Sequence, residues 1–477
     1  MVAPTADVGA HRGSRVHVLR ALLLAALCVE LTFALVARGG FFSPDSTIVL
    51  IWSLALLSIS YFLASDRHSI RAEEVVVLLL AAWWLVTARL HGVGGNFQPM
   101  GASIVSFVAA AAVVRQGPWL WRRNAALVGI ALSAATAVVG LIACDLRWYP
   151  LAMRGQDLWR LSGTVTYSNA TGLLLGMGLL LAMDRTMHTR WSSFAIAACT
   201  AGLIATQSRS AVLATLVAFA WLARREFRSG LVPLSAGTFA GIVTVASSNG
   251  HAGRPLALCV SMLALALVPI ISERMQRSSG RRSSRTHRVA TAAGAIGAAV
   301  LLGALIGARS EALKRIDVGS DLGRLHEWRA ALQQFHTSIW TGVGPDQLLV
   351  ISKGTSTYFA HNEYLQLLAG GGLIALGLLA TAVVLIVRRQ RSSPVCVRTA
   401  CGALVVFALA GLFDYSWHVP AIALLAGMML GLAQPDAEIA ARMTGPGQLV
   451  AENVGATELA SGDAVDLPAA FQRAPDS

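Results

Sequence analysis

Residues 361–387 read HNEYLQLLAGGGLIALGLLATAVVLIV, a polar head running without a break into an apolar tail. From Leu367 to Val387 no residue is charged, and Arg388 and Arg389 close the run. The tail matches the roughly 20 apolar residues that a helix needs to cross a bilayer. The chain repeats this pattern. Apolar runs recur at roughly 18–37, 47–64, 73–90, 100–115, 125–144, 169–184, 191–206, 210–223, 231–248, 255–272, 289–308, 397–413 and 417–433. With 367–387 they number about fourteen. Several are short, notably 169–184 and 210–223. Those can be tilted, broken or buried in protein, so about ten to fourteen spanning helices are expected. The fold class expected is an all-α, polytopic membrane protein.

Composition points the same way. Of the 477 residues 55% are hydrophobic and 13% are charged, whereas soluble domains carry about 25% charged residues. The net charge of +13 is mostly arginine. A soluble chain of that charge would suggest nucleic acid. Here the arginines sit between apolar runs, which points instead to membrane topology and anionic headgroups, with no nucleic-acid partner. The six cysteines lie in or beside apolar runs with no CxxC, so neither a zinc site nor a disulfide framework is expected. No other metal site and no cofactor is expected either. The first run, from about Ala21 to Ala37, is followed by Phe41-Phe42 rather than a small-residue cleavage site. It reads as a retained helix.

Arginine placement gives an expected topology. With residues 1–17 in the cytoplasm and strict alternation, the inner connectors hold Arg67 and Arg71, Arg115 to Arg123, Arg185 and Arg190, Arg224 to Arg228, Arg274 to Arg288, and Arg388 to Arg391. Cytoplasmic loops favour such residues. Both termini then lie inside a plasma membrane, and the loops 145–168 and 309–366 lie outside. Gln276–His287 and the tail 434–477 read as disordered. No repeat is visible.

Charged residues at membrane depth are costly, which makes them functional candidates. Arg209, in Thr206-Gln207-Ser208-Arg209-Ser210, falls between two runs at the outer surface. An arginine there can also snorkel to headgroups. Arg324 and Trp328 lie one turn apart on an expected amphipathic helix from about Leu322 to Phe335, with Leu325, Trp328, Leu332 and Phe335 at helical spacing. Trp328 can equally be an interfacial anchor. His361 can be a solvated loop residue or, as neutral imidazole, can take a proton from a hydroxyl. Paired guanidiniums suit a diphosphate because they are planar, permanently charged and bidentate. Gly342-Val343-Gly344-Pro345 reads as a turn and not as a nucleotide loop. Asp145 and Asp157 are isolated and form no metal-binding acidic pair.

The ordered set Gly323-Arg324, Trp328, Gly342-Val343-Gly344-Pro345, His361-Asn362-Glu363-Tyr364-Leu365, Leu368 and Gly372 resembles the signature of the O-antigen ligase and polymerase family. Ser208-Arg209 resembles the family's Ser-Arg pair. Tyr167-Ser168-Asn169-Ala170 resembles its Pro-Asn element, with Ser168 where proline is common. The likeness covers about residues 160–435. It implies a membrane-embedded glycosyltransferase fold with its site on the non-cytoplasmic face. It implies metal-independent transfer from a polyprenyl-diphosphate-linked glycan to an acceptor hydroxyl, with membrane lipids as further partners. Arg209 and Arg324 would bind the diphosphate, and His361 would activate or orient the acceptor. Asn362, Tyr364, Trp328 and Asn169 would support substrate binding. Gly370 stands where relatives often carry an acid. A glycan, lipid or protein acceptor remains open, giving a polymerase, a ligase or a protein O-oligosaccharyltransferase. A transporter or flippase of lipid-linked glycan or of a small solute is the alternative class.

Overall fold

The structure is a computed structural model. It describes residues 8–64, 70–93, 98–155, 158–189, 191–249, 254–279, 319–345, 347, 350–352, 355–357, 359–392 and 398–433. The chain divides into two compact units, Met1–Gln434 and Pro435–Ser477. The second unit, the run at 289–308 and Asp157 lie outside the described residues.

The first unit is predominantly α-helical, as its apolar runs dictate. In chain order α1 is Val8–Val36, α2 Asp45–Phe62, α3 Ala72–Leu90, α4 Gln98–Gln116 and α5 Trp119–Leu146. A short hairpin follows, β1 Ala152–Gly155 against β2 Leu158–Leu161, with Ala152 opposite Leu161. Then come α6 Ser168–Ala182, α7 Ser192–Thr206, α8 Arg209–Asn249 and α9 Arg254–Ser279. After the undescribed segment come α10 Gly319–Thr337 and the hairpin β3 Val350–Ser352 with β4 Thr355–Thr357. Last are α11 Glu363–Ser392, α12 Arg398–Ala410 and α13 Pro420–Ala433. Seven of the described segments are long and apolar enough to cross a membrane, and five shorter apolar helices accompany them. The chain is a polytopic membrane protein.

Two of the short helices are wrapped in protein. Every residue of α13 is buried, as is every residue of α6 except Asn169. Such helices need not match the bilayer thickness by themselves. The helix α8 contains 41 residues, which if straight would extend about 60 Å. Yet Trp159 bonds to its last residue and to the turn just before its first: its carbonyl accepts from Gln207 Nε2 at 2.8 Å, and its N–H donates to Asn249 Oδ1 at 2.7 Å. The element therefore folds back into two arms, Arg209–Leu222 and Gly230–Asn249. These are the two runs expected at 210–223 and 231–248.

Alternation gathers the connectors at two ends. At one end Arg115 Nη2 grips both oxygens of Glu74 at 2.8 and 3.0 Å, Tyr61 donates to Glu74 at 3.1 Å, and Arg389 lies 3.6 Å from Glu73. This buried cluster ties α2, α3, α4 and α11 together. Removing one partner of such a pair typically costs about 3–5 kcal/mol. Exposed Trp121, Trp191 and Trp221 ring the same end. Exposed Trp148 and Tyr149 mark the other, as expected of residues that settle at a membrane–water interface.

Two expectations are corrected. Gln276 to Ser279 are helical, forming the last turn of α9 rather than a disordered start. Asp145 is not isolated: it is buried at the end of α5 and accepts from Ser247. On α10 the apolar stripe is turned outward, as an amphipathic surface helix would have it: Leu325 and Leu332 are exposed, while Ala331 is buried. Arg324, Glu327 and Trp328 occupy the flank between.

The helix α11 is broken where the opening stretch has its three glycines. Gly372 adopts φ 68° and ψ −165°. The carbonyls that the break releases find donors elsewhere: Val343 N–H reaches Ala369 O at 2.8 Å, Gly344 N–H reaches Gly370 O at 3.0 Å, and Trp83 Nε1 reaches Gly371 O at 2.8 Å. A broken span is tolerated when its freed groups are satisfied in this way. The turn at 342–344 therefore docks against the break. Gly342, at φ +65°, has room for nothing larger, because a Cβ would lie 2.5 Å from Ala369 O.

Candidate functional site

The site lies at the end opposite the Glu74–Arg115 cluster. Its first cation arrives on the hairpin. Arg160, on β2, donates from Nε to Thr206 O at 2.9 Å and from Nη2 to Asn169 Oδ1 at 2.7 Å. Thr206 ends α7, and carbonyls at a helix C-terminus favour a cation. At the next residue the chain reverses through Gln207, at φ 53°, and Arg209 opens α8. That places a guanidinium beside a helix N-terminus, itself an anion-binding position. Arg324 comes from α10. Burial first, and then the charges of Arg324 and Arg209, lower the proton affinity of Arg160, while Tyr167 and Asp414 oppose them. Three guanidiniums from three separated segments thus share one electrostatic neighbourhood.

His361 is tied to the same helix as Arg324. Its Nδ1 lies 2.8 Å from Glu327 Oε2, one turn along α10 from Arg324. Its backbone sits in the left-handed region, at φ 46°, which is uncommon outside glycine. Asn362 holds that turn as the N-cap of α11: its Oδ1 accepts from Leu365 N–H at 3.0 Å, and its Nδ2 donates to Leu412 O at 2.9 Å. With Nδ1–H directed at the Glu327 carboxylate, Nε2 is left as the proton-accepting nitrogen. The imidazole also meets the edge of Tyr415, ring centres 5.1 Å apart.

Aromatic rings join the two halves. Tyr415 stacks between Tyr167 at 5.0 Å and Phe359 at 4.3 Å. Tyr167 donates to Asp414 Oδ1 at 2.5 Å and accepts from Asn169 Nδ2 at 3.2 Å. Burial, reinforced by the Asp414 carboxylate, pushes both phenols above their ordinary range, so they stay protonated donors. Beneath this layer buried Glu363 accepts from Trp417 N–H and approaches His418 Nδ1 at 3.1 Å.

Of the residues singled out from the sequence, Arg209, Arg324, His361 and Asn169 converge here. Trp328 is half-buried on the same helix flank as Arg324, and its Nε1 has no hydrogen-bond partner among the described residues. Asn362 and Tyr364 fasten α11 instead. Tyr364 donates to Ala408 O at 2.9 Å and packs on Trp417. It lines an apolar cavity of about 250 Å³ with Leu80, Ile104, Leu379, Val383 and Phe407. Sequence reasoning passed over Arg160, Glu327, Asp414 and Tyr415. Arg160 had a signal, since it is a basic residue in a loop on the arginine-poor side. Asp414 had one too, as a lone carboxylate in the brief connector before the last run.

Gly370 has a local explanation. A Cβ there would lie 2.7 Å from Trp84 Cη2, under a ring that is fully buried. Gly370→Glu is expected to destabilise the protein by about 1–3 kcal/mol through overpacking. The check is the unfolding temperature in detergent. An unchanged value would mean that Trp84 yields freely.

No curated protein matches the chain. Residues 194–380, which carry Arg209, Arg324 and His361, match the family described as O-antigen ligase. Over that segment the chain is similar to the O-antigen ligase family, and the ordered motifs fall within or beside the matched residues.

Proposed function

We propose that this protein transfers a glycan from a polyprenyl diphosphate to an acceptor hydroxyl on the extracytoplasmic side of the plasma membrane, as a surface-polysaccharide polymerase or ligase. The observation that supports the proposal is Arg160, fixed between Thr206 O and Asn169 Oδ1 within electrostatic reach of Arg209 and Arg324, together with a histidine oriented by the Glu327 carboxylate. In the reaction the acceptor oxygen bonds to the anomeric carbon as the bond from that carbon to the phosphate oxygen breaks. The diphosphate departs with the bonding pair, and the acceptor proton passes to His361 Nε2. Charge grows on the leaving phosphate, and donors already aimed at that charge stabilise it most. The guanidiniums supply positive charge of the kind that a divalent cation supplies in other transferases. The apolar cavity beside Tyr364 suits the hydrocarbon chain of a lipid donor. The arginine bias supports a cytoplasmic place for the Glu74–Arg115 end.

The test is product formation by purified protein in detergent from a preformed lipid-linked glycan. Transfer without sealed compartments is the expected result. A product that appears only with sealed vesicles would instead make the protein a carrier.

A further inference from the structure

We propose that Asp414 sets the grip of the arginine centre on a diphosphate, keeping it weak enough for the spent lipid diphosphate to leave. The inference rests on the transferase reading above. Asp414 is 1% exposed. Its Oδ1 accepts from the Tyr167 hydroxyl at 2.5 Å and from Tyr415 N–H at 2.8 Å. Its Oδ2 is buried with no hydrogen-bond partner among the described residues. A buried oxygen left unpaired calls for a reason.

Folding alone does not supply one. An amide at this position would accept the same two hydrogen bonds, so the shape of the loop does not require the charge. Three cations in one half-buried neighbourhood do. Two side chains link Asp414 to Arg160: Tyr167, which donates to Asp414, accepts from Asn169 Nδ2 at 3.2 Å, and Asn169 Oδ1 accepts from Arg160 Nη2 at 2.7 Å. The field of Asp414 favours the charged guanidinium, against burial and the charges of Arg324 and Arg209. Asp414 acts at a distance, because it forms no ion pair with Arg160 or Arg324 among the described residues. The donors of those arginines are therefore not taken up by its carboxylate. An arriving diphosphate gains three guanidiniums and meets the repulsion of one fixed carboxylate. That repulsion persists after the sugar has left and favours release of the lipid diphosphate.

Asp414→Asn keeps the shape and the Tyr167 hydrogen bond and removes the charge. Inorganic pyrophosphate, titrated calorimetrically into the full-length protein in detergent, is expected to bind the variant about tenfold more tightly. Steady-state glycan transfer is expected to slow in the same variant. A purely structural defect would weaken both. Asp414→Ser, also uncharged, gives the same comparison should the amide variant fail to purify as folded protein. Tyr167→Phe, which keeps the carboxylate, should show no tightening. Equal or weaker pyrophosphate binding in both uncharged variants, with wild-type protein binding it normally, overturns the role of Asp414 and leaves the transferase reading intact. Wild-type protein that neither binds pyrophosphate nor loses transfer on Arg324→Ala overturns both.

Discussion

Arg160→Ala is expected to lower glycan transfer about 10²–10³-fold, the usual scale for one preorganised donor at a developing charge. The side chain is held from two directions, by Thr206 O at 2.9 Å and by Asn169 Oδ1 at 2.7 Å. That grip fixes the plane of the guanidinium before substrate arrives. Its position is electrostatically unfavourable when the site is empty, because burial and two further arginines act against it. An anion relieves that cost, and it does so most fully when the leaving diphosphate carries its greatest charge. Arg160→Lys is expected to recover little activity, because an ammonium cannot keep both hydrogen bonds and present a fork as well. The check is initial rate with purified protein and a lipid-linked donor. Near wild-type rates in Arg160→Ala, with the protein folded, would remove Arg160 from the site.

The second large effect is expected at His361. His361→Ala should cost about 10²–10⁴-fold, the range ascribed to a positioned general base. Glu327→Gln is the more informative companion. It keeps the size of the partner 2.8 Å from Nδ1 but removes the charge that orients the ring and supports a developing imidazolium. We expect a loss of roughly 10–100-fold, in the turnover rate rather than in donor affinity, because Glu327 meets the imidazole and not the donor. A loss in donor affinity alone would move His361 from proton transfer to binding. Equal activity in His361→Ala and wild type would require a different base.

The helical membrane class was legible because membrane spans are local. A run such as 367–387 declares itself by hydrophobicity over its own length. The reversal inside α8 was also legible, since Arg224, Arg225 and Arg228 separate its two apolar stretches. The motifs around Arg209, Arg324 and His361 were legible as residues of the right chemistry in the family's order. Their convergence was not, because contacts between distant residues leave no local pattern. Tyr167 and Asp414 are 247 positions apart, and His361 and Glu327 are 34 apart.

The glycines show the same division. As letters, Gly342-Val343-Gly344 and Gly370-Gly371-Gly372 are two turn-like clusters. Only the packed structure reveals that each completes the other, the turn donating to the carbonyls that the broken helix frees.

The sequence by itself determined the class of this protein: a chain of many apolar helices separated by short polar connectors, built to lie in a membrane. Tertiary structure alone decided that Arg160 joins Arg209 and Arg324, that Glu327 orients His361, and that Asp414 stands close enough to oppose them. The physical reason is range. Hydrophobicity is summed along the chain and can be read there, whereas electrostatic fields and hydrogen bonds act through space and exist only once the helices have packed.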